Sequence, residues 1–203
     1  IKSSDPYYTQ SAAATYDVIV SAAPKTDQTI SFVSLDVSYT YGVTGVSASV
    51  SDAITTVTYS LINQSPSGVA TIDASGAITI NKAGSFKVTA QAEADANYAQ
   101  SNLLTSGNIT VNKKTVTIQF ADGNQNRNVG DSTFTKAATI DTGKEGTQEA
   151  TYDYTRTSGA DNIATVSTDG IVTIVGEGTA TISASIKSSD PYYTQSAAAT
   201  YDV

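Results

Sequence analysis

The loop from Asp122 to Asp131 carries the set of side chains in this chain that most resembles a ligand site. Its oxygen-bearing members are Asp122, Asn124, Asn126, Asn128 and Asp131. Carboxylate and amide oxygens at such spacings suit a hard cation such as Ca²⁺. The loop departs from the EF-hand pattern, because Arg127 stands where that pattern needs Gly and Thr133 where it needs a bidentate Glu. A weak calcium site therefore competes with a solvated polar turn, and we expect no other cofactor.

Tyrosine pairs form a second candidate site. Tyr7-Tyr8 and Tyr192-Tyr193 stand in identical sequence contexts, and Tyr98 stands in a similar one. Aromatic rings at such positions can stack on a sugar ring, pack on a neighbouring module or anchor a corner of their own domain. The anchoring role needs no ligand, and the sequence favours it.

Most familiar active sites cannot be built from this sequence. It contains no Cys, His, Met or Trp, which excludes disulfides, thiol or imidazole catalysis, Cys/His zinc sites and a Ser-His-Asp triad. Acid pairs such as Asp122 with Asp131 are the type used in glycoside hydrolysis, but nothing near them indicates a deep pocket. We therefore predict that the protein is not an enzyme.

Length and charge set further bounds. The chain has 203 residues and a mass of 20.9 kDa, which fits one large all-β domain or two smaller modules. Its 11 basic and 19 acidic residues give a net charge of −8, which repels the phosphates of nucleic acid. No apolar run is long enough for a membrane span, and the first residues lack the features of a signal peptide. We expect any targeting signal to lie elsewhere.

The same 18 residues stand at both ends of the sequence. IKSSDPYYTQSAAATYDV occupies 1–18 and recurs without substitution at 186–203, which is 185 residues later. Such identity indicates near-identical tandem units in a longer array, although a duplicated tail would produce the same pattern. In an array, residues 1–18 lack the rest of their own module, so we expect them to be disordered or to lie against a neighbouring chain or module.

A weaker repeat divides the unit in two. GVATIDASGAITINKAGSFKVTAQA, from Gly68, aligns with NIATVSTDGIVTIVGEGTATISASI, from Asn162, at an offset of 94. We therefore predict a last-strand segment of a preceding copy at 1–20, a first module at 21–112 and a second module at 113–203. The connections are short and one contains Pro24, which limits how freely the modules can swing.

Alternation of apolar and polar residues predicts short antiparallel strands with one buried face. Clear stretches contain Ile30 and Phe32; Val57, Tyr59 and Leu61; Ile78 and Ile80; Phe86, Val88 and Ala90; and Ile109 and Val111. Turn sequences with glycine separate the runs, notably at 73–76 and 168–170. About seven strands per module fit two tandem immunoglobulin-like antiparallel β-sandwiches, so the predicted fold class is all-β.

The order of these elements resembles bacterial immunoglobulin-like (Big) tandem repeats. The resemblance covers essentially the whole chain, and its main elements are QTISF at 28–32, VTYS at 57–60 and DANY at 95–98, with VTIQF at 116–120, ATYD at 150–153 and DPYY at 190–193. It implies the stalk of a giant adhesin on the outside of a bacterial cell, whose partners are neighbouring repeats of the same polypeptide. Very repetitive Thr-rich arrays are also similar to giant adhesins of Bacteroidota, including those of gliding bacteria.

We therefore predict a structural stalk repeat that extends a distal binding domain from the cell surface, with glycans or a substratum bound through other domains. Stacked modules of this kind should bury little surface between them and unfold independently. Nucleic acid is not an expected partner.

Two alternatives stay open. In the first, each unit binds glycan, ice or a partner, and repetition multiplies the affinity. Exposure of Tyr192, Tyr193 and Asp190 beside the Asp122 loop would favour it, whereas their burial at a module junction would favour the stalk. In the second, the N-terminal segment completes a neighbouring molecule by strand addition and builds a fibre. That alternative predicts an acceptor that lacks its own residues 194–203.

Overall fold

The chain forms 19 β-strands and no α-helix within the residues that the structure, a computed structural model, describes: 6–9, 12–141, 148–195 and 197–203. Over these ranges, no helix is long and apolar enough to cross a membrane. The strands build two tandem immunoglobulin-like sandwiches, which confirms the predicted fold class.

Two nine-residue strands pair with each other in the first sandwich. Its strands are β1 Ser31–Ser34, β2 Ser38–Thr40, β3 Val46–Ser47, β4 Ser49–Ser51, β5 Val57–Ser65, β6 Ala70–Ile72, β7 Ala77–Ile80, β8 Gly84–Ala92, β9 Leu104–Thr105 and β10 Ile109–Asn112. One sheet has the order β2-β10-β8-β5, with β9 also paired to β8. A second sheet has the order β3-β7-β6, and β1 pairs with β4. The pairing of β2 with β10 is parallel, and the other strand pairs are antiparallel.

The second sandwich repeats this plan. Its strands are β11 Lys114–Phe120, β12 Phe134–Thr135, β13 Ala138–Asp141, β14 Tyr152–Ser158, β15 Ala164–Val166, β16 Ile171–Ile174, β17 Thr181–Ile186, β18 Tyr193–Gln195 and β19 Ala199–Asp202. They form three sheets with the orders β14-β17-β19, β12-β16-β15 and β13-β11-β18. The hairpin of β15 and β16 corresponds to that of β6 and β7, with equal registers at the predicted offset.

The predicted core faces are buried. Phe86, Val88 and Ala90 alternate along β8 and have no exposed surface, and Ile182 and Ala184 occupy the same positions on β17. Ile30, Ile78, Ile80, Ile109 and Val111 are also buried. Burial of these apolar side chains is the main term that stabilises each sandwich, because no disulfide is available.

The strands are shorter and more numerous than the predicted seven per module. A single residue, Ala48, separates β3 from β4, and residues 106–108 separate β9 from β10. The register of β5 against β8 also shifts between Ile62 and Ser65. At Ala48 the chain passes from the sheet that contains β7 to the pairing with β1, and the shift between β5 and β8 is a bulge.

Glycine fixes the two hairpin turns that the sequence predicted. Gly76 has φ +85° and Gly170 has φ +82°, values that residues with a Cβ rarely adopt. A Cβ on Gly76 would lie 2.3 Å from the carbonyl oxygen of Ala48, and one on Gly170 would lie 3.0 Å from the ring of Tyr154. In the first turn the carboxylate of Asp73 accepts hydrogen bonds from the N–H groups of Ser75 and Ala77. The two glycines and the carboxylate of Asp73 therefore make these turns specific to their residues.

The N-terminal segment lies outside both sandwiches where it is described. Residues 12–25 are all exposed and belong to no strand, and Thr26 makes the first pairing, with Tyr98. Residues 1–5, 10 and 11, which belong to the predicted 1–20 segment, lie outside the described residues. The division at 20/21 and 112/113 remains our proposal.

Candidate functional site at the module junction

One residue, Lys113, connects the two sandwiches, because β10 ends at Asn112 and β11 begins at Lys114. The residues on both sides are held by backbone hydrogen bonds. The N–H of Tyr41 donates to the carbonyl oxygen of Asn112 at 2.8 Å, and the N–H of Lys114 donates to that of Tyr192 at 2.9 Å. The connection therefore has little freedom to rotate.

Three tyrosine rings from both sandwiches meet beside this connection. This junction cluster consists of Tyr41, from the first sandwich, and Tyr192 and Tyr193, from the second. The ring centroid of Tyr41 lies 5.0 Å from that of Tyr192 and 5.6 Å from that of Tyr193, the latter pair edge to face. Tyr41 is 8% exposed and Tyr193 is 1% exposed. These separations are those of favourable aromatic pairs, so the rings bind the two sandwiches to each other.

Two polar contacts add to the junction. The N–H of Ala83, in the first sandwich, donates to the carbonyl oxygen of Pro191, in the second, at 2.9 Å. The Nζ of Lys113 donates to the carbonyl oxygen of Ser188 at 2.7 Å. Because these bonds are directional, they fix the rotation of one sandwich against the other more closely than apolar contact alone would.

Asp190 holds the turn that carries the two junction tyrosines of the second sandwich. Its Oδ1 accepts the N–H groups of Tyr192 and Tyr193, both at 2.9 Å. Its Oδ2 accepts the N–H of Thr151 at 2.8 Å and the Thr151 hydroxyl at 3.0 Å. Burial acts to raise the pKa of Asp190, but these four donors outweigh it and lower the pKa below its ordinary value. The carboxylate is thus kept ionised although it is only 1% exposed.

The apolar core of the first sandwich continues into the second. Val116, Ala150 and Tyr193 belong to the same buried cluster as Tyr41 and Val111. The second sandwich also has two clusters of its own, centred on Ile182 and on Tyr154. The junction is therefore a packed apolar contact and not the sparse contact between independent modules that we expected.

The hydroxyl of Tyr193 is buried without a hydrogen-bond partner among the described residues. Burial raises the pKa of Tyr193, and the nearby charge of Asp190 acts in the same direction. An unpaired buried hydroxyl costs free energy, so the ring and not the hydroxyl accounts for the contribution of this residue.

The predicted tyrosine sites have different environments. Tyr192 and Tyr193 lie at the junction, a position that favours the stalk hypothesis, and not in an exposed cluster with Asp190. Tyr98 is partly buried at the opposite end of the first sandwich, beside Thr26. Tyr7 is 87% exposed and Tyr8 is 68% exposed. Tyr41 was not predicted as part of any site. One signal could have found it: its equivalent in the second module is Val129, so the residue at this position differs between the two modules.

The predicted calcium loop is held by two separate sets of hydrogen bonds, one to β19 and one within the loop. The side chain of Asn124 bonds to Asp202, whose N–H donates to its Oδ1 at 3.0 Å. The Oδ2 of Asp131 accepts the N–H of Asn128 at 2.9 Å. Asp122 and Asn126 are exposed. Among the described residues, no group of three or more acidic side chains is placed to hold a metal ion. The calcium site stays a prediction.

No protein-family model matches this chain, and no curated protein sequence matches it. Solved structures that it resembles include cadherin fragments. Mouse cadherin-23 EC22-24 is 14% identical, with a TM-score of 0.37 over 87% of this chain and 65% of that one. Mouse protocadherin-24 EC1-3 is 15% identical, with a TM-score of 0.31 over 85% and 68% of the two chains. Drosophila N-cadherin EC1-4 is 12% identical, with a TM-score of 0.32 over 87% and 50%. The chain thus spans less than two thirds of the length of the mouse cadherin-23 fragment.

Proposed function

We propose that the chain is a non-enzymatic structural stalk repeat of a long extracellular bacterial adhesin. Its partners would be neighbouring repeats of the same polypeptide, and its role would be to extend a distal binding domain from the cell surface. The observation that carries this proposal is the packed junction between the two sandwiches. The exact repeat of 18 residues at an offset of 185 supports an array of such units.

A stalk gains reach only if consecutive modules keep a defined direction. Here one connecting residue, three tyrosine rings and the bond from Ala83 to Pro191 act on the same joint. Full burial of one large apolar side chain contributes about 1.5–3 kcal/mol. The loss of Tyr41 from this joint should therefore be enough to change the distribution of angles between the modules.

The residues that a glycan-binding unit would use are engaged in contacts within the protein. Tyr192 and Tyr193 contact Tyr41, and Asp190 accepts four hydrogen bonds from the protein itself. A sugar ring cannot stack on the same aromatic faces while the junction is formed. We therefore favour the role of spacer over that of binding module.

Small-angle X-ray scattering tests the proposal. A sandwich with nine-residue strands is roughly 30 Å long, so two modules in line should have a maximum dimension of roughly 60–80 Å. We expect the wild-type chain to show a narrow distance distribution near that value. The double variant Tyr41→Ser/Tyr192→Ser should show a broader one, since it loses two junction rings.

The matched control is Tyr16→Ser, which removes a ring that is 87% exposed and should leave the scattering unchanged. A wild-type distribution as broad as that of the junction variant would contradict the stalk, because the modules would then reorient freely.

A further inference from the structure

The sequence contains two Asp–Gly steps, at Asp122-Gly123 and at Asp169-Gly170, and no Asn–Gly step. An Asp–Gly step can react with itself, because the backbone nitrogen of the glycine can attack the side-chain carboxyl carbon of the aspartate and close a five-membered succinimide ring. Glycine favours this attack, since no Cβ crowds its nitrogen. Both aspartates are exposed, so exposure to water does not distinguish the two steps.

The Asp169-Gly170 step is held in a tight turn. The N–H of Gly170 donates to the carbonyl oxygen of Ser167 at 3.0 Å, and the hydroxyl of Ser167 accepts the N–H of Ile171 at 3.1 Å. Gly170 is buried, and a Cβ on it would lie 3.0 Å from the ring of Tyr154. The nitrogen that would attack Asp169 is therefore already bonded, and it cannot turn toward the carboxyl group unless the turn opens.

The Asp122-Gly123 step has the opposite environment. Both residues are exposed, and a Cβ on Gly123 would meet no atom within 4 Å. Within the described ranges, nothing accepts the N–H of Gly123 and nothing donates to the carboxylate of Asp122. The attacking nitrogen and the carboxyl group of this step can therefore meet without the loss of any contact.

The residues that follow Gly123 are anchored to β19. The N–H of Gln125 donates to the carbonyl oxygen of Asp202 at 2.8 Å, and the N–H of Asp202 donates to the Oδ1 of Asn124 at 3.0 Å. Hydrogen bonds depend on distance and angle, so both need the backbone of the loop to keep its length. A longer backbone at Asp122 would therefore displace the contacts between the loop and β19.

We infer that Asp122 is a site of covalent self-modification, where the folded chain converts aspartate to isoaspartate, and that the fold protects Asp169 from the same reaction. The hydrogen of the Gly123 nitrogen and the hydroxyl of the Asp122 carboxyl group leave as one water when the ring closes. A second water then opens the ring. Attack at the side-chain carbonyl restores aspartate, whereas attack at the main-chain carbonyl gives isoaspartate. The mass is unchanged, but the backbone now passes through Cβ and Cγ of residue 122 and is longer by one carbon atom.

The turn at Gly170 sets the size of the difference between the two steps. Its hydrogen bond and its contact with Tyr154 have to be lost before the ring closes at Asp169, whereas the loop at Asp122 loses nothing comparable. We expect isoaspartate to form roughly tenfold more slowly at Asp169 than at Asp122 in the folded chain, which corresponds to a barrier higher by about 1.4 kcal/mol. In the unfolded chain the two rates should be similar, since glycine supplies the attacking nitrogen in both steps.

The experiment stores the wild-type chain at neutral pH, both folded and unfolded in guanidinium, with EDTA present so that no cation binds Asp122. Trypsin then releases the peptides 115–127 and 157–187, which contain Asp122 and Asp169 respectively. Electron-transfer fragmentation in the mass spectrometer distinguishes the two backbone linkages and measures the isoaspartate in each peptide. We expect isoaspartate to accumulate in 115–127 of the folded chain and to form about tenfold more slowly in 157–187. The two peptides of the unfolded chain should contain comparable amounts.

The matched control is Asp122→Glu, which keeps the charge but would have to close a six-membered ring, so its peptide should stay unmodified. Hydrogen exchange measures the consequence: the stored wild-type chain should lose protection at the N–H groups of Gln125 and Asp202, and the variant should keep it. Equal isoaspartate in the two peptides of the folded chain, more at Asp169, or none at Asp122 would overturn the inference. Each of these results would leave the stalk proposal intact, because the scattering test uses freshly prepared chain and measures only the junction.

Discussion

Asp190 positions the junction through hydrogen bonds to the turn that carries Tyr192 and Tyr193. It makes no contact with the first sandwich in the hydrogen bonds described, but it fixes the N–H groups of Tyr192 and Tyr193 and ties them to Thr151. Asp95 makes the same turn at the equivalent position of the first module, with the N–H groups of Asn97 and Tyr98 at 2.7 Å. The difference is that Asp95 is exposed, whereas Asp190 is buried.

Replacement of Asp190 by Asn should destabilise the second sandwich by about 1–3 kcal/mol at neutral pH, because the amide nitrogen faces donors that the carboxylate accepted. The folded pKa of Asp190 is lowered, so its stabilisation is present above the unfolded pKa of about 3.9 and is lost as pH falls through the folded value. Urea unfolding should therefore show a difference in the free energy of unfolding between wild type and variant. This difference should be largest at pH 7 and should decrease at acidic pH. Asp95→Asn is the comparison: this exposed carboxylate accepts two N–H groups instead of four donors, so its replacement should lower the free energy of unfolding less than Asp190→Asn does. A difference for Asp190→Asn that does not depend on pH would refute the role of the ionised carboxylate.

Tyr193 should contribute through its ring alone. Tyr193→Phe removes a buried hydroxyl that has no partner in the described structure, so stability should be unchanged or rise by about 1 kcal/mol. Tyr193→Ala should cost about 3–5 kcal/mol because it leaves a cavity at the junction. The matched control is Tyr154→Phe, which loses the bond from the N–H of Ala138 and should cost about 1 kcal/mol. Equal losses for the two Phe variants, measured by urea unfolding, would mean that the hydroxyl of Tyr193 is satisfied.

At the scale of elements, the sequence predicted the features that depend on residues close together in the chain, namely the buried strand positions and the turns. Period-two alternation identified the buried positions of β8 and β10, since side chains on a strand point alternately to the two faces. The glycines of the two predicted turns have positive φ, and the atoms around them leave no room for a Cβ. The internal repeat predicted that one plan is used twice, and the matching hairpin registers follow from it.

The junction could not be predicted in the same way. Alternation shows which face of a strand is buried, but it does not show which side chains meet across the junction, because Tyr41 and Tyr193 lie about 150 residues apart along the chain. The only available signal was the difference between repeats, namely Tyr41 against Val129 and Tyr192 against Asn97. The breaks that divide the strands are equally non-local, since they depend on hydrogen bonds to partner strands.

At the scale of the whole molecule, the two connections along the chain differ in kind. Lys113 alone joins the sandwiches, and its neighbours Asn112 and Lys114 are hydrogen-bonded on either side. Residues 12–25 are exposed throughout, although they include Pro24. The connection at 113 is thus held by hydrogen bonds on both sides, whereas residues 12–25 of this chain are exposed.

Limited proteolysis at low protein concentration should distinguish the two connections. A protease of broad specificity should cut first within 12–25, where the backbone is exposed, and should spare the connection at 113, where the chain is paired on both sides. Insertion of Gly-Gly after Lys113 should create a new early cut, because it separates the hydrogen bonds of Asn112 from those of Lys114. The order of the cuts can be read from fragment masses. Cleavage of the wild-type chain at 113 as fast as within 12–25 would show that the junction opens readily, and that a stiff two-module unit does not exist.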